Sequence, residues 1–209
     1  MRLTRLFSQS GRACTMRAAT LVVVAGATFV GGCSSTVRTG QASSYMILQR
    51  LEGSSGAESG SVFQSVLRSD VLTKGGIFED NGRVTLSLAM KDVTNPTGPT
   101  SNNVITLNRY RVEYRRTDGR NTPGEEVPYA FDGALGLTVG EQGVTAVFTL
   151  VRAQAKLEKP LITMVGVNNG ALLISTIADV TFFGKDQTGR DVTVTGSMSI
   201  NFADWADPE

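Results

Sequence analysis

The stretch Val192-Thr-Val-Thr-Gly-Ser-Met-Ser-Ile-Asn-Phe202 alternates with a period of two. Val192, Val194, Met198, Ile200 and Phe202 share one parity; Thr193, Thr195, Ser197, Ser199 and Asn201 share the other. Successive strand side chains point to opposite faces, so this is a strand with one face in a core and one in water. Gly196 interrupts the apolar parity and marks a bulge or a close backbone approach. Just upstream, residues 172–183 (LLISTIADVTFF) are apolar on both parities, as in a central strand. The polar segment 184–190 (GKDQTGR), with its two glycines, joins the pair as a hairpin.

The same period extends outward. Val84, Leu86, Leu88 and Met90 alternate, as do Val144, Ala146, Phe148 and Leu150. In residues 105–115 (ITLNRYRVEYR) the parity changes midway, and a bulge near Asn108-Arg109 reconciles the halves. Asp80-Asn81-Gly82, Thr117-Asp118-Gly119 and Asn168-Asn169-Gly170 read as turns. Residues 95–103 form a Pro/Gly loop, and residues 52–61 (EGSSGAESGS) read as a loop between two edge strands. Only residues 152–159 (RAQAKLEK), stopped by Pro160, read as helix, for one or two turns. No internal repeat is present. The expectation is an all-β chain: a single sandwich of about 7–9 strands with one short helix, over residues 45–209. The order of strands, ending in a long hairpin with a short helix ahead of it, resembles the immunoglobulin-like sandwich, without its cysteine pair.

The N-terminus has a different character. Residues 1–17 carry Arg2, Arg5, Arg12 and Arg17 and no acid; Ala18 to Val30 is apolar; Gly31-Gly32-Cys33 is small and tight. That layout is a secretory signal, with Met1 or Met16 as its start. A membrane span needs about 20 apolar residues, more than the 13 between Arg17 and Gly31. Val30-Gly31-Gly32-Cys33 resembles the lipobox of bacterial lipoproteins. The resemblance implies cleavage between Gly32 and Cys33, a diacylglyceryl group on the Cys33 thiol and an acyl chain, such as palmitate, on the new amino group. It divides the chain into a signal peptide (1–32), a lipidated tether (33–44) and the β-domain (45–209). One acyl chain gives only marginal membrane binding, whereas two or three hold a protein stably. Ser34, rather than Asp, after the cysteine implies the outer membrane in preference to the inner. A flexible tether of this length reaches on the order of 18 Å. The stretches RYRVEYRRTDGRNTPG, VPYAFDG and NFADWADP also resemble lipoproteins of environmental bacteria, a group that brings no established activity.

Composition then excludes. The chain has 20 Lys+Arg against 19 Asp+Glu. Without the four signal arginines this becomes 16 against 19, a net charge of −3. A weakly acidic domain has no electrostatic footprint for nucleic acid. Histidine is absent, Cys14 lies in the signal and Cys33 carries lipid, which removes Ser-His-Asp and Cys-His catalysis and His-containing zinc sites. Gly133–Gly143 is glycine-rich without the GxGxxG spacing or a following helix, and reads as loose turns between strands. No stretch follows the D-x-[DN]-x-[DN]-G calcium loop. No cofactor and no metal is expected, and no enzyme activity.

Three groups of side chains remain as candidates. Glu125-Glu126 are adjacent and point to opposite faces of a strand, a poor catalytic pair; Asp132, Asp204, Asp207 and Glu209 are the other candidate carboxylates. Arg109, Arg111 and Arg115 share one strand face, where they either bind phosphate or carboxylate groups or pair with acids on neighbouring strands. Trp205 either stacks on sugars or caps the open end of the core. The sequence thus points to an envelope lipoprotein acting as a non-enzymatic binding or structural module. Its partners are the membrane, through Cys33, and an envelope protein or glycan. The alternatives are a carbohydrate-binding or carbohydrate-active domain and an accessory subunit of an envelope complex.

Overall fold

A computed structural model describes residues 43–57, 62–92, 94, 97–166 and 172–205. The signal, Gly32, Cys33 and the tether up to residue 42 lie outside the described residues, as does the Asn168-Asn169-Gly170 turn.

VTVTGSMSINF lies within β8 (Asp191–Ala203), which pairs antiparallel with β7 (Ile174–Asp186) from Ile174–Phe202 to Lys185–Asp191 without a slip. β7 is the middle strand of a five-stranded sheet, as its double-sided hydrophobicity predicts. With β2 (Val66–Asp70), β4 (Ile105–Arg115) and β5 (Phe131–Val139) the order is β2-β8-β7-β4-β5. The second sheet has the order β1-β3-β6, from β1 (Ser44–Ser54), β3 (Asp80–Met90) and β6 (Val144–Val151). All ladders are antiparallel except β2 with β8. The chain is therefore an all-β sandwich of eight strands in two sheets, and the division of strands between the sheets follows the immunoglobulin plan. β1 and β2 lie at the edges of different sheets, as expected for the strands flanking the glycine-serine loop. β1 begins at Ser44, which is buried and donates from Oγ to the Asn103 carbonyl (2.9 Å), so the ordered domain takes in the last tether residue.

The inward parity of each strand supplies the core. Val84, Leu86, Ile105, Leu107, Val112, Leu150, Val180, Phe182, Ile200 and Phe202 are fully buried. Burial of such a side chain stabilises by about 1.5–3 kcal/mol. Tyr110, Phe148 and Phe182 meet edge to face, with centroids 5.0 Å (Tyr110–Phe148) and 5.4 Å (Phe148–Phe182) apart. The β4 ladder slips between Leu107 and Arg109, where the parity change requires it. Gly196 marks a close approach rather than a bulge: a Cβ there would lie 2.6 Å from Leu48 Cδ1.

Two sequence expectations are corrected. Asp80-Asn81-Gly82 is not a turn but the start of β3. Asp80 is buried, and Gly82 lies under the Phe148 ring, where a Cβ would come within 2.4 Å. The turn before it is Thr73–Gly76, with Lys74 and Gly75 at positive φ. The glycines of 133–143 are likewise not all in loose turns, since Phe131–Val139 is strand and Gly133 leaves room for the Tyr110 ring. The expected helix is one turn, α1 (Ala153–Lys156), followed by a 3-10 turn at Leu161–Met164.

The pairings define two ends. Ser44, Met90, Ile105, Val139, Val144 and Asp186 lie at one, called upper here. Ser54, Asp80, Arg115, Phe131, Val151, Ile174 and Ala203 lie at the other, called lower.

Candidate functional site

The arginine stripe lies where its parity puts it, on the outer face of the five-stranded sheet. Each member has a carboxylate partner. Arg109 and Arg111 both donate to Asp132 on β5, the latter at 2.8 Å, and Arg111 Nε also donates to Glu113 (2.9 Å). Arg115 Nε donates to Asp179 on β7 (2.5 Å), and Ser197 from β8 donates to the same carboxylate (2.5 Å). Partial burial would raise the Asp132 and Asp179 carboxyls, but the hydrogen bonds from the arginines outweigh it and hold both below the ordinary carboxylate value. The guanidinium of Arg109 also stacks 3.8 Å above the Phe183 ring. An anionic ligand would have to displace carboxylates already in place.

Trp205 is half-buried against the core at the lower end. Its backbone N–H donates to Asp70 (2.9 Å), and the Arg68 guanidinium covers one face of the indole at 4.1 Å. The ring thus fastens the end of β8 to β2, and that face is not open to a sugar. Asp132 serves the arginines, while Glu126 accepts from the Thr122 N–H (3.0 Å) in the loop before β5. Asp204 accepts from the Gly166 N–H (2.6 Å), and Asp207 and Glu209 lie outside the described residues.

Among the described residues two hollows open on the surface. One, of about 350 Å³, lies beside the β4 bulge between Asn108, Arg109, Phe183, Asp191 and Thr193. The other, of about 100 Å³, lies between β1 and β2 at Gly53, Gln64 and Arg68. Neither brings the three stripe arginines together, and neither contains Trp205. Among the described residues, no three metal-ligating side chains converge, and no helix is long and apolar enough to cross a membrane.

The strongest polar cluster was not among the sequence candidates. Lys156 of α1 donates to Asp80 Oδ1 at 2.9 Å, with both side chains out of solvent (1 % and 0 % exposed). Ser69 Oγ donates to Asp80 Oδ2 (2.6 Å), and the Gly56 N–H reaches Oδ1 (3.2 Å). Burial pushes the Asp80 carboxyl up, and Lys156 and Ser69 oppose that without cancelling it. Nearby, the Tyr114 hydroxyl donates to the Leu150 carbonyl across the two sheets (2.7 Å), and burial pushes its ionisation far up. These bonds join β2, β3, β4, β6 and α1 at the lower end and leave no reactive group facing solvent. The cluster is structural.

Among the described residues ten large apolar side chains are exposed; Tyr45, Val62, Val66 and Val147 lie elsewhere, and the other six lie on the loops of the same end. Phe78, Tyr129, Leu157, Ile162, Leu172 and Leu173 are each between 38 % and 51 % exposed. They come from the segments before β3, before β5 and between β6 and β7, which all close the lower end. The upper end is where β1 opens, at Ser44. No protein-family model matches the chain, and no curated protein matches it.

Proposed function

We propose that this chain is a bacterial envelope lipoprotein, anchored through lipid on Cys33, whose sandwich acts as a non-enzymatic binding or structural module. One observation carries the reading: β1 opens at the upper end, ten residues after Cys33 if counted to the first described residue, Ser43, while six exposed apolar side chains crown the lower end. With a tether reaching on the order of 18 Å, the anchor holds the upper end near the headgroups and presents the lower loops to the aqueous side. Clustered exposed apolar side chains are characteristic of contact surfaces. The paired state of the arginines and the covered ring of Trp205 support a protein contact over a glycan or polyanion. The outer membrane, implied by Ser34, is part of the same reading.

The test has two arms. Cys33→Ala should abolish incorporation of an alkyne-palmitate label and move the protein out of the membrane fraction; retained label and membrane association would refute the anchor. A photo-crosslinking residue at Leu157, in the intact tethered protein, should yield a dominant adduct in native envelopes. The same residue at Thr106, near the upper end, should not. Equal adducts from both positions, or none from Leu157, would refute the lower loops as the contact surface.

A further inference from the structure

The sandwich has four sheet edges, and three of them carry features that oppose pairing. β1 slips between Leu48 and Arg50 and bears Arg50 and Glu52. β2 is only five residues long, with Arg68 and Asp70. β5 bears Asp132, tied to two arginines, and two glycines, and the β4–β5 ladder slips beside it. Charges, irregularities and short length are how sheet edges avoid joining other chains.

β6 has none of these along Val144–Thr149. Its sequence, VTAVFTLV, is eight residues without a charge, a proline or a glycine, and its one long side is paired to β3 while the other pairs with no strand among the described residues. The only slip in its ladder is at the last step, between Asp80 and Asn81. On its outer face Val147 is 54 % exposed in mid-strand. On its inner face Val144 and Ala146 are only partly buried against the core. The Tyr110 hydroxyl lies against Thr149, towards the lower end, and on that side Val144–Phe148 has no hydrogen-bonded strand among the described residues.

We infer that β6 is a self-association edge, and that two copies of this chain pair antiparallel through Val144–Phe148 about a two-fold axis at Ala146. The occupant is a second copy because the edge is complementary to itself. It has no charge to select a partner of opposite sign and none to repel its own kind. A two-fold antiparallel pairing makes each ladder bond twice. In this register Thr145 faces Val147 of the other copy on the outer face, and Val144 faces Phe148 on the inner face, pairs that favour strand association. Cross-strand hydroxyl pairs already stabilise this sheet surface, as between Thr85 and Thr145 (3.2 Å). Arg83, the nearest outer-face cation, is held by Glu52 (2.8 Å) and stands one strand back from the junction. The two three-stranded sheets become one of six strands. The inference rests on the sandwich alone and does not depend on the lipid anchor.

The test uses the full chain in detergent, with mass measured by native mass spectrometry and sedimentation. Two double variants are made on the exposed face of β6: Thr145→Lys with Val147→Lys, and Thr145→Glu with Val147→Glu. The wild type should be a dimer. Each charged variant alone should show at least a ten-fold weaker dimer constant, because like charges meet across the two-fold. An equimolar mixture of the two should recover the dimer as a heterodimer. Both substituted positions are exposed, so the thermal transition should persist, and circular dichroism checks that. A monomeric wild type, a dimer indifferent to both variants, or a mixture that stays monomeric would each overturn the inference. A strand from another protein capturing the wild-type monomer would also overturn it.

Discussion

The domain holds two systems of paired charges, and they obey different physics. Asp80 and Lys156 meet in the dry lower end of the sandwich, 76 residues apart in sequence. Arg109, Arg111, Arg115, Asp132 and Asp179 meet on the wet outer face of the five-stranded sheet. In the first, desolvation of both ions opposes the attraction, and the pair persists because Ser69 and Gly56 fill the remaining acceptor sites. In the second, water screens each contact, and the pairs do little for stability while leaving the surface close to neutral. The buried pair therefore governs whether the fold holds together. The exposed lattice governs what the surface attracts.

The largest effect should come from separating the buried ions. Lys156→Met keeps the volume of the side chain but leaves Asp80 with only Ser69 and Gly56. Removing one member of a buried pair destabilises by about 3–5 kcal/mol, which urea unfolding at pH 8 should read directly. The loss should shrink as pH falls. Without its cation, burial raises the Asp80 carboxyl further, so the folded variant binds that proton more readily than the unfolded chain does. Stability then increases as pH falls through the folded value towards the unfolded one, and is lost again as pH rises through the folded value. A loss independent of pH would mean that Asp80 is not the group left exposed to this penalty. Ser69→Ala should cost less, about 1.5–3 kcal/mol, for one hydrogen bond to a charged acceptor.

The arginine lattice was legible in the sequence and the buried pair was not, for a definite reason. Strand parity tells which side chains share a face, so Arg109, Arg111 and Arg115 could be grouped by counting once the bulge at Asn108-Arg109 was allowed. Parity likewise revealed the hairpin of β7 and β8 and the central position of β7. It does not tell which strands are neighbours, so Asp132 and Asp179 could not be assigned as partners, nor the eight strands divided three and five. Asp80 is hidden in the sequence because Asp-Asn-Gly is a turn signature wherever both strand ends are unknown. Here Gly82 serves the Phe148 ring instead. Lys156 sits in RAQAKLEK, which reads as a helix of one or two turns with nothing to show which face is buried. Only the placement of that single turn across the end of the sandwich buries it. A signal did exist: an acid opening a strictly alternating strand falls on the same parity as Val84, Leu86 and Leu88, so its side chain had to face the core.

Acid tests the exposed system from the other side. Asp132 and Asp179 have folded values below the unfolded one, because arginine hydrogen bonds outweigh their partial burial. Asp118 is held low in the same way by Arg116, and Asp186 by the N–H and hydroxyl groups of its own turn. Their contributions are fully present above the unfolded carboxylate range, about pH 4, and are lost as pH falls through the lower folded values. Wild-type stability should therefore hold from pH 7 to about pH 4 and decline below it. A decline beginning near neutrality would show that these carboxylates do not set the acid limit; Asp80 could not cause it, because a raised folded value adds stability as pH falls.

The smallest stability effect, and the sharpest separation of the two systems, belongs to Asp132→Asn. Asp132 is exposed and its loss leaves no buried charge, so the unfolding transition should stay where it is. The consequence is electrostatic. Arg109 loses its carboxylate partner on β5, and Arg111 keeps only Glu113. Two guanidinium groups on one sheet face then become available to an external anion, with Arg109 still oriented by the Phe183 ring. Retention on a heparin matrix at low ionic strength should rise in the variant and disappear with added salt, as screening requires. The wild type should elute early. If the wild type is already strongly retained and the substitution changes nothing, the carboxylates do not neutralise the stripe, and the arginines would have to be treated as a polyanion site in their own right.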